Sequence, residues 1–127
     1  MPKLLGSAPV LLVKDVVASA NYFRDVGGFQ YDKFYGDPPF FCICERDGLR
    51  LMLAKADDPT QIKPFWQIQA NIWNAYFWVD DADALYHEMQ AKGGKMDYGP
   101  CTKPYGVREF GIQDLDGHDI GFGQILP

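Results

Sequence analysis

The sequence predicts an α+β fold in which two βαβββ modules follow one another along the chain. Each half of the 127 residues contains a strand pattern, a helix pattern and a hairpin pattern in the same order. A constant shift that puts Val13 on Val79 also aligns Asp15 with Asp81, the two predicted helix caps. Internal similarity at a fixed shift indicates a repeated structural unit, so we expect the same topology twice.

The first module begins with a predicted strand at residues 9–13. The helix that follows has apolar residues every three or four positions; Asp15 caps its start and a Gly-Gly pair ends it. A strand at residues 29–35 and a hairpin at residues 40–53 complete the module. The Asp-Gly dipeptide in the hairpin indicates a tight turn.

The second module repeats this order. A strand is predicted at residues 74–79, a helix begins after Asp81, and a weak strand at residues 95–98 ends at a Gly-Pro break. A second hairpin with an Asp-Gly dipeptide lies within residues 105–124 and completes the module.

The domain organisation follows from these patterns. We expect a single domain over residues 1–127, with modules at about 5–56 and 71–125 and a linker at about 57–70. The linker contains prolines and mixed charge without a regular apolar period.

Composition limits the classes of partner. The net charge of −5 and the isoelectric point near 4.8 argue against nucleic acid or an anionic membrane as partner, because both are bound through basic surfaces. An odd number of cysteines does not form a disulfide framework, and the start of the chain has no secretory signal pattern. We therefore expect a cytoplasmic protein.

Two stretches, LLVKDVVASANYFRDVGGF and YGVREFGIQDLDGHDIGFG, resemble the vicinal oxygen chelate superfamily. This superfamily includes glyoxalase I, extradiol dioxygenases and the fosfomycin and bleomycin resistance proteins. The second stretch is similar to the closing signature of the family, with Leu115 where proline is usual. The resemblance implies that the mixed sheets of two modules curl around a shared cleft, and that the protein forms a homodimer.

Enzymes of this superfamily usually hold a divalent metal at four equivalent positions. Carried onto this sequence, these positions fall on Ala8, Met52, Asn74 and Gly121. Three of these residues have no ligating side chain, and Asn74 is a weak neutral donor. The resemblance therefore implies a member without the usual metal site, and we expect no cofactor and no catalytic residue.

Other polar residues are interpreted structurally. His87 is expected on the surface of the second helix and His118 in a turn, too far apart to share a metal. Asp114 and Asp116 flank the second hairpin turn, where aspartate normally bonds the turn backbone.

Alternation along strands predicts which residues face the cleft. From the four metal-equivalent positions, the predicted cleft face includes a set of strand residues: Phe40, Cys42, Cys44, Arg50, Tyr76, Trp78, Glu109, Gly111, Gln113, Asp119 and Gly123. The same parity turns Phe41 and Ile43 toward the helices. The cysteines are interpreted as buried small residues rather than nucleophiles.

The candidate ligand-binding residues combine part of this face with aromatic residues outside it: Phe40, Arg50, Met52, Trp66, Trp73, Tyr76, Trp78, Tyr105, Glu109 and Gln113. Trp66 and Trp73 suit stacking against a planar or cationic ligand, and equally suit a dimer interface or the seam between modules. Arg108 beside Glu109 suits an ion pair or a ligand contact.

The sequence thus favours a metal-independent protein, similar to the bleomycin resistance group, that sequesters a small aromatic or cationic molecule such as an antibiotic. The alternative is a lyase, isomerase or dioxygenase of the same superfamily, with an atypical metal set or none. A third hypothesis is a cleft filled by its own side chains, with a role only in protein contacts.

Overall fold

The computed structural model describes all residues from 1 to 127 and divides into two compact units, residues 1–62 and residues 63–127. Each unit contains one helix and one four-stranded mixed sheet, connected as βαβββ. The predicted α+β class with two tandem βαβββ modules is therefore confirmed. None of the helices is long and apolar enough to cross a membrane.

In the first unit the elements are β1 (Val10–Val13), α1 (Val16–Asp25), β2 (Gln30–Tyr35), β3 (Phe41–Arg46) and β4 (Leu49–Lys55). The sheet order is β1-β4-β3-β2, with β1 parallel to β4 and the other neighbours antiparallel. Asp15 caps α1 as expected, because its side chain accepts a hydrogen bond of 3.0 Å from the backbone N–H of Ala18.

The core of the first unit forms where α1 packs on the sheet. Phe23 of α1 and Leu51 and Leu53 of β4 are fully buried together with Leu11 and Val13 of β1. Removal of these side chains from water is the main stabilising term for this unit.

The register of the first hairpin corrects one prediction. Cys42 lies opposite Leu53, and Cys44 lies opposite Leu51. Directly opposed residues of antiparallel strands share a face of the sheet, so both thiols lie on the helix-facing side, where they are fully buried. The prediction that they face the opposite side is wrong, although their interpretation as buried small residues is confirmed.

Phe41 and Ile43 consequently face away from α1. They lie opposite Ala54 and Met52, and they are only half-buried. The prediction had assigned both side chains to the helix-facing side. A displacement of one residue along a strand turns every side chain to the other face. This displacement alone accounts for the wrong faces predicted for β3.

The physical reason is a difference in turn length between the two hairpins. The first turn contains two residues, Asp47 and Gly48, both with positive φ as a type I′ turn requires. In the second hairpin the N–H of Asp114 donates to the carbonyl of His118, and three residues lie between them. A constant shift between the two hairpins therefore aligns the second strand of the first hairpin correctly but misplaces its first strand by one residue.

In the second unit the elements are β5 (Ala75–Trp78), α2 (Ala82–Ala91), β6 (Lys95–Lys103), β7 (Val107–Gln113) and β8 (Asp119–Ile125). The sheet order is β5-β8-β7-β6. Two short 3-10 helices, Pro59–Gln61 and Phe65–Gln67, lie between β4 and β5, where the sequence indicated a connection. Asp81 caps α2 as Asp15 caps α1.

Strand β6 is longer than predicted. The weak strand was expected to stop at Gly99, but pairing with β7 continues to Lys103. The register is irregular between Met96 and Tyr98 and again between Tyr98 and Cys101. Proline and glycine are tolerated in a strand at such irregularities, so the Gly-Pro pair bends the strand instead of ending it.

The second hairpin turn is built as the sequence indicated. Oδ1 of Asp114 accepts hydrogen bonds from the backbone N–H groups of Asp116 at 3.0 Å and of His118 at 2.8 Å. Asp114 therefore holds the turn. His118 follows the turn and is buried, which its position beside a turn did not predict.

Candidate functional site

A pocket of about 1020 Å³ lies within the second unit. It opens on the face of the sheet opposite α2 and is bordered by the connection that precedes β5. The lining residues are Trp66, Ala70, Asn71, Trp73, Asp97, Tyr98, Cys101, Lys103, Pro104, Tyr105, Glu109, Gln113 and Asp119. This volume suits a drug-sized ligand.

Aromatic rings in and behind the pocket lining lie over glycines. A Cβ atom at Gly111 would come within 2.5 Å of the Tyr98 ring, and one at Gly121 would come within 2.6 Å of Tyr76 and 2.8 Å of Trp73. The hydroxyl of Tyr76 occupies the corresponding space above Gly123. The absence of side chains at these three strand positions lets the rings approach the backbone closely.

A buried carboxylate holds these rings in place. Glu109 is only 1% exposed, and its carboxylate accepts hydrogen bonds from the hydroxyls of Tyr76 at 2.8 Å, Tyr98 at 2.8 Å and Tyr105 at 2.9 Å. We call these three tyrosines the tyrosine cluster. A buried carboxylate is tolerated when donors satisfy it, and three hydroxyls do so here.

The tyrosine cluster stays protonated. Burial raises the pKa of Tyr98, and its hydrogen bond to Glu109 raises it further. Burial and the same carboxylate raise the pKa of Tyr76 and bring that of Tyr105 to about 12. The hydroxyls therefore act as hydrogen-bond donors to Glu109 at every physiological pH.

The tryptophans of the pocket offer ring surface rather than polar atoms. The indole N–H of Trp73 donates to the hydroxyl of Tyr98 at 3.0 Å, and that of Trp66 donates to the carbonyl of Gly117 at 2.7 Å. Trp73 also packs edge-on against Tyr76, with ring centroids 4.6 Å apart. Because both indole donors are used within the protein, a ligand meets only the rings.

A second buried carboxyl group lines the pocket. Asp119 is 7% exposed, and Asp97 lines the same pocket. Burial, assisted by the neighbouring Asp97, raises the pKa of Asp119 to about 7. We call Asp97 and Asp119 the carboxyl pair.

The structure brings together half of the predicted ligand-binding residues. The pocket lining contains Trp66, Trp73, Tyr105, Glu109 and Gln113. The predicted facing of Glu109, Gly111, Gln113, Asp119 and Gly123 is confirmed by the register of β7 with β8.

The other predicted residues lie elsewhere. Tyr76 lies behind the lining as part of the tyrosine cluster, and Trp78 packs edge-on against it while remaining exposed. Phe40, Arg50 and Met52 belong to the first unit, where Phe40 precedes β3 and the other two lie on β4. A role of these residues in ligand binding stays a prediction.

Sequence reasoning missed Tyr98, which joins Trp73 to Glu109. The predicted strand ended beside it, so its partner on β7 was not identified. A signal was present nonetheless, since Gly111 lies within β7 between two bulky apolar residues and opposite Tyr98. A glycine within a strand often marks a place where an aromatic ring from the neighbouring strand covers the backbone.

Arg108 and Glu109 do not pair with each other. Because neighbouring strand residues face opposite sides, Arg108 reaches α2, where its Nη2 lies 3.0 Å from Oδ1 of Asp83. Glu109 instead binds the tyrosine cluster. Arg108 therefore forms an ion pair, but with Asp83 rather than with Glu109.

The residues at the four metal-equivalent positions do not fit a divalent metal. The side-chain oxygen of Asn74 accepts a hydrogen bond of 3.0 Å from the backbone N–H of Phe65, which commits it to the connection. At Gly121 the space for a ligating side chain is filled by the rings of Trp73 and Tyr76. Nowhere in the structure do three or more His, Cys, Asp or Glu side chains form a group suited to a metal.

Comparison with known protein families identifies the family of this chain. The family model described as the Glyoxalase/Bleomycin resistance protein/Dioxygenase superfamily matches residues 7–122. The chain therefore belongs to this superfamily, as its two characteristic stretches indicated. A comparison with curated proteins gives no match.

Several solved structures are similar to this one over nearly their whole length. The bleomycin-binding protein from bleomycin-producing Streptomyces verticillus, complexed with copper(II)-bleomycin, is 30% identical, with 100% of this chain and 99% of that chain covered and a TM-score of 0.68. TnmS3, an antibiotic binding protein from Streptomyces sp. CB03234, is 22% identical, with 98% of each chain covered and a TM-score of 0.73. A glyoxalase-related enzyme from Clostridium phytofermentans is 18% identical, with 98% of each covered and a TM-score of 0.78.

Proposed function

We propose that this protein is a metal-independent binding protein that sequesters a small aromatic, cationic molecule in the pocket of the second unit. The observation that carries the proposal is the replacement of a metal-ligand position by aromatic rings. Trp73 and Tyr76 occupy the space at Gly121 where a family enzyme has a ligand. The same substitution that removes metal chemistry therefore builds a stacking surface.

The charge of the pocket favours a cation. Three carboxyl groups line it, from Asp97, Glu109 and Asp119, against one lysine, Lys103. The ammonium group of Lys103 lies 5.3 Å from the centroid of the Tyr98 ring, which places a positive charge over an aromatic face within the pocket itself. A ligand cation meets the same combination of ring and carboxylate.

The bleomycin-binding protein at 30% identity makes an antibiotic the first ligand class to test. Protein freed of metal by a chelator, and then of the chelator, is titrated with copper(II)-bleomycin and with a panel of cationic aromatic antibiotics. We expect quenching of tryptophan fluorescence and a higher melting temperature with at least one compound, since a ligand that binds only the folded state stabilises it. The absence of any response across the panel would count against the proposal.

A matched pair of variants tests whether the ligand occupies this pocket. Trp66 and Phe65 are neighbouring, comparably exposed aromatic residues, and only Trp66 lines the pocket. Trp66→Ala should weaken binding about tenfold, as loss of a stacking ring costs about 1–2 kcal/mol, whereas Phe65→Ala should change it little. Equal effects of the two substitutions would place the ligand elsewhere.

Metal analysis separates this proposal from the enzyme alternative. Protein purified without chelator should contain far less than one equivalent of nickel, zinc or iron. A near-stoichiometric content would contradict the proposal and favour a lyase, isomerase or dioxygenase.

That the protein forms a homodimer and that it is cytoplasmic both stay predictions. Sedimentation analysis at several protein concentrations tests whether it forms a homodimer.

A further inference from the structure

One buried oxygen of the pocket has no hydrogen-bond partner within the protein. Oδ1 of Asp119 receives no hydrogen bond, although the residue is 7% exposed and lines the pocket. The other polar groups nearby are engaged: three tyrosine hydroxyls bind Glu109, and the two indoles bind Tyr98 and Gly117. A buried acceptor without a donor costs free energy, which a donor on a ligand recovers.

A second carboxyl group, that of Asp97, also lines the pocket near Asp119. Burial, assisted by this neighbour, raises the pKa of Asp119 to about 7. Asp119 therefore carries a proton below neutral pH, because a buried carboxylate without a donor is less stable than the carboxylic acid.

The aromatic rings in the same pocket lining determine the shape of the group that can replace this proton. The rings of Trp73 and Tyr98 are joined by a hydrogen bond of 3.0 Å, and Tyr98 lines the pocket with the carboxyl pair. A planar cation with several N–H groups satisfies both features, since its face stacks on a ring while its edge donates to carboxyl oxygens.

We propose that a positively charged N–H group of the ligand, of the amidinium, guanidinium or protonated amine class, binds Asp119 in the carboxyl pair and displaces the proton of Asp119 to solvent. This inference rests on the proposed function, because it specifies which part of the ligand enters the pocket. The ligand keeps its charge, the proton passes to the buffer, and Asp119 becomes a carboxylate. Binding is therefore coupled to pH.

Titratable and polar side chains surround the carboxyl pair on the neighbouring strands. On β6 they are Lys95, Tyr98, Cys101 and Lys103, and the loop between β6 and β7 adds Tyr105. On β7 they are Glu109 and the neutral Gln113. On the β5 side the backbone N–H of Asn74 donates to the carbonyl of Asp119. The charges of Asp83, His87 and Glu88 lie on α2, and Asp114 and His118 belong to the turn. None of these last five residues lines the pocket.

Two small probes of the same shape test the inference. Benzamidine is a planar cation throughout the neutral range, and benzamide is its neutral counterpart. Titration calorimetry in buffers with different ionisation enthalpies measures both affinity and proton release. We expect benzamidine to bind about tenfold more tightly at about pH 8 than at about pH 6, with about one proton released per ligand at the lower pH. Benzamide should bind more weakly and without a pH dependence.

Variants assign the effect to the carboxyl pair. Asp119→Asn should abolish both the proton release and the pH dependence of benzamidine binding, while Asp57→Asn, at an exposed position in the first unit, should change neither. Asp97→Asn, at an exposed position, removes the neighbouring carboxyl group that helps to raise the pKa of Asp119, so it should reduce the proton release. This variant tests the inference even if Asp119→Asn does not fold.

Four outcomes would overturn the inference. The first two are equal affinity for benzamidine and benzamide, and binding of benzamidine without proton release. The other two are proton release that persists in both variants, and failure of benzamidine to bind at either pH. The proposed function is judged separately by the antibiotic titration, so a positive antibiotic response with a negative benzamidine result rejects only the role of the carboxyl pair.

Discussion

The hydroxyl of Tyr98 donates a hydrogen bond of 2.8 Å to the carboxylate of Glu109, and this bond joins β6 to β7 beneath the pocket. Tyr98 accepts a hydrogen bond from Trp73 at the same time, so the indole, the phenol and the carboxylate form a continuous chain. Each donor in this chain has an acceptor, which fixes the orientation of the rings that a ligand would meet.

Glu109→Gln should destabilise the protein by about 1–3 kcal/mol, because an amide accepts fewer hydrogen bonds than a carboxylate and leaves at least one buried hydroxyl without a partner. Urea denaturation monitored by tryptophan fluorescence measures the change. Glu45→Gln is the control, since Glu45 is exposed and its carboxylate forms a surface ion pair with Arg50 at 3.3 Å. A loss for Glu109→Gln no greater than for the control would show that the tyrosine cluster does not stabilise the fold.

The free energy of unfolding should depend on pH through Asp119. Burial raises the pKa of Asp119 from 3.8 to about 7, so between these values the folded state binds a proton that the unfolded state releases. Stability contributed by this group is therefore complete below about pH 4 and is lost as the pH rises through about 7. Asp114 acts in the same direction, since burial raises its pKa to about 6.

Asp119→Asn should accordingly raise the stability at about pH 8 and make the fall between about pH 4 and pH 8 smaller. Urea denaturation at intervals across this range measures both effects. Asp97→Asn should produce a smaller change in the same direction, because burial is the larger cause of the raised pKa and remains in that variant. An unchanged pH profile in Asp119→Asn would refute the prediction.

Gly121→Ala should destabilise the second unit by about 1–3 kcal/mol, since the added methyl group would press against the rings of Trp73 and Tyr76 at less than 3 Å. Gly6→Ala is a matched control, because no atom lies within 4 Å of a Cβ at that position. In a double-mutant cycle with Trp73→Ala, the two losses should be less than additive, because removal of the indole makes room for the methyl group. Strict additivity would show that the indole does not fill this space.

The three cysteines should differ in reactivity. Burial raises the pKa of the Cys44 thiol to about 12 and also raises that of Cys42, and both side chains are inaccessible, whereas Cys101 is half-buried and lines the pocket. Iodoacetamide should therefore modify one thiol in the folded protein and three in denaturant, as counted by mass spectrometry. Modification of Cys44 in the folded state at the rate of a denatured thiol would contradict the structure. A bound ligand should slow the reaction of Cys101.

The sequence by itself determined the elements, because the signals that define them are local. Asp15 and Asp81 bond backbone groups three residues away, and the apolar spacing of each helix follows from its own turn. The repeat then supplied the topology, and the alternation of β7 and β8 correctly placed Glu109 on the face of the pocket.

Only the tertiary structure decided the arrangement of side chains between strands. One additional residue in the second turn changed the register and reversed the predicted face of Cys42 and Cys44, because each step along a strand turns the side chain to the other side. The bond between Tyr98 and Glu109, and the presence of Asp97 and Asp119 in one pocket, depend on the irregular register of β6. No local pattern records that register, so the polar chemistry of the pocket appeared only when the strands were assembled.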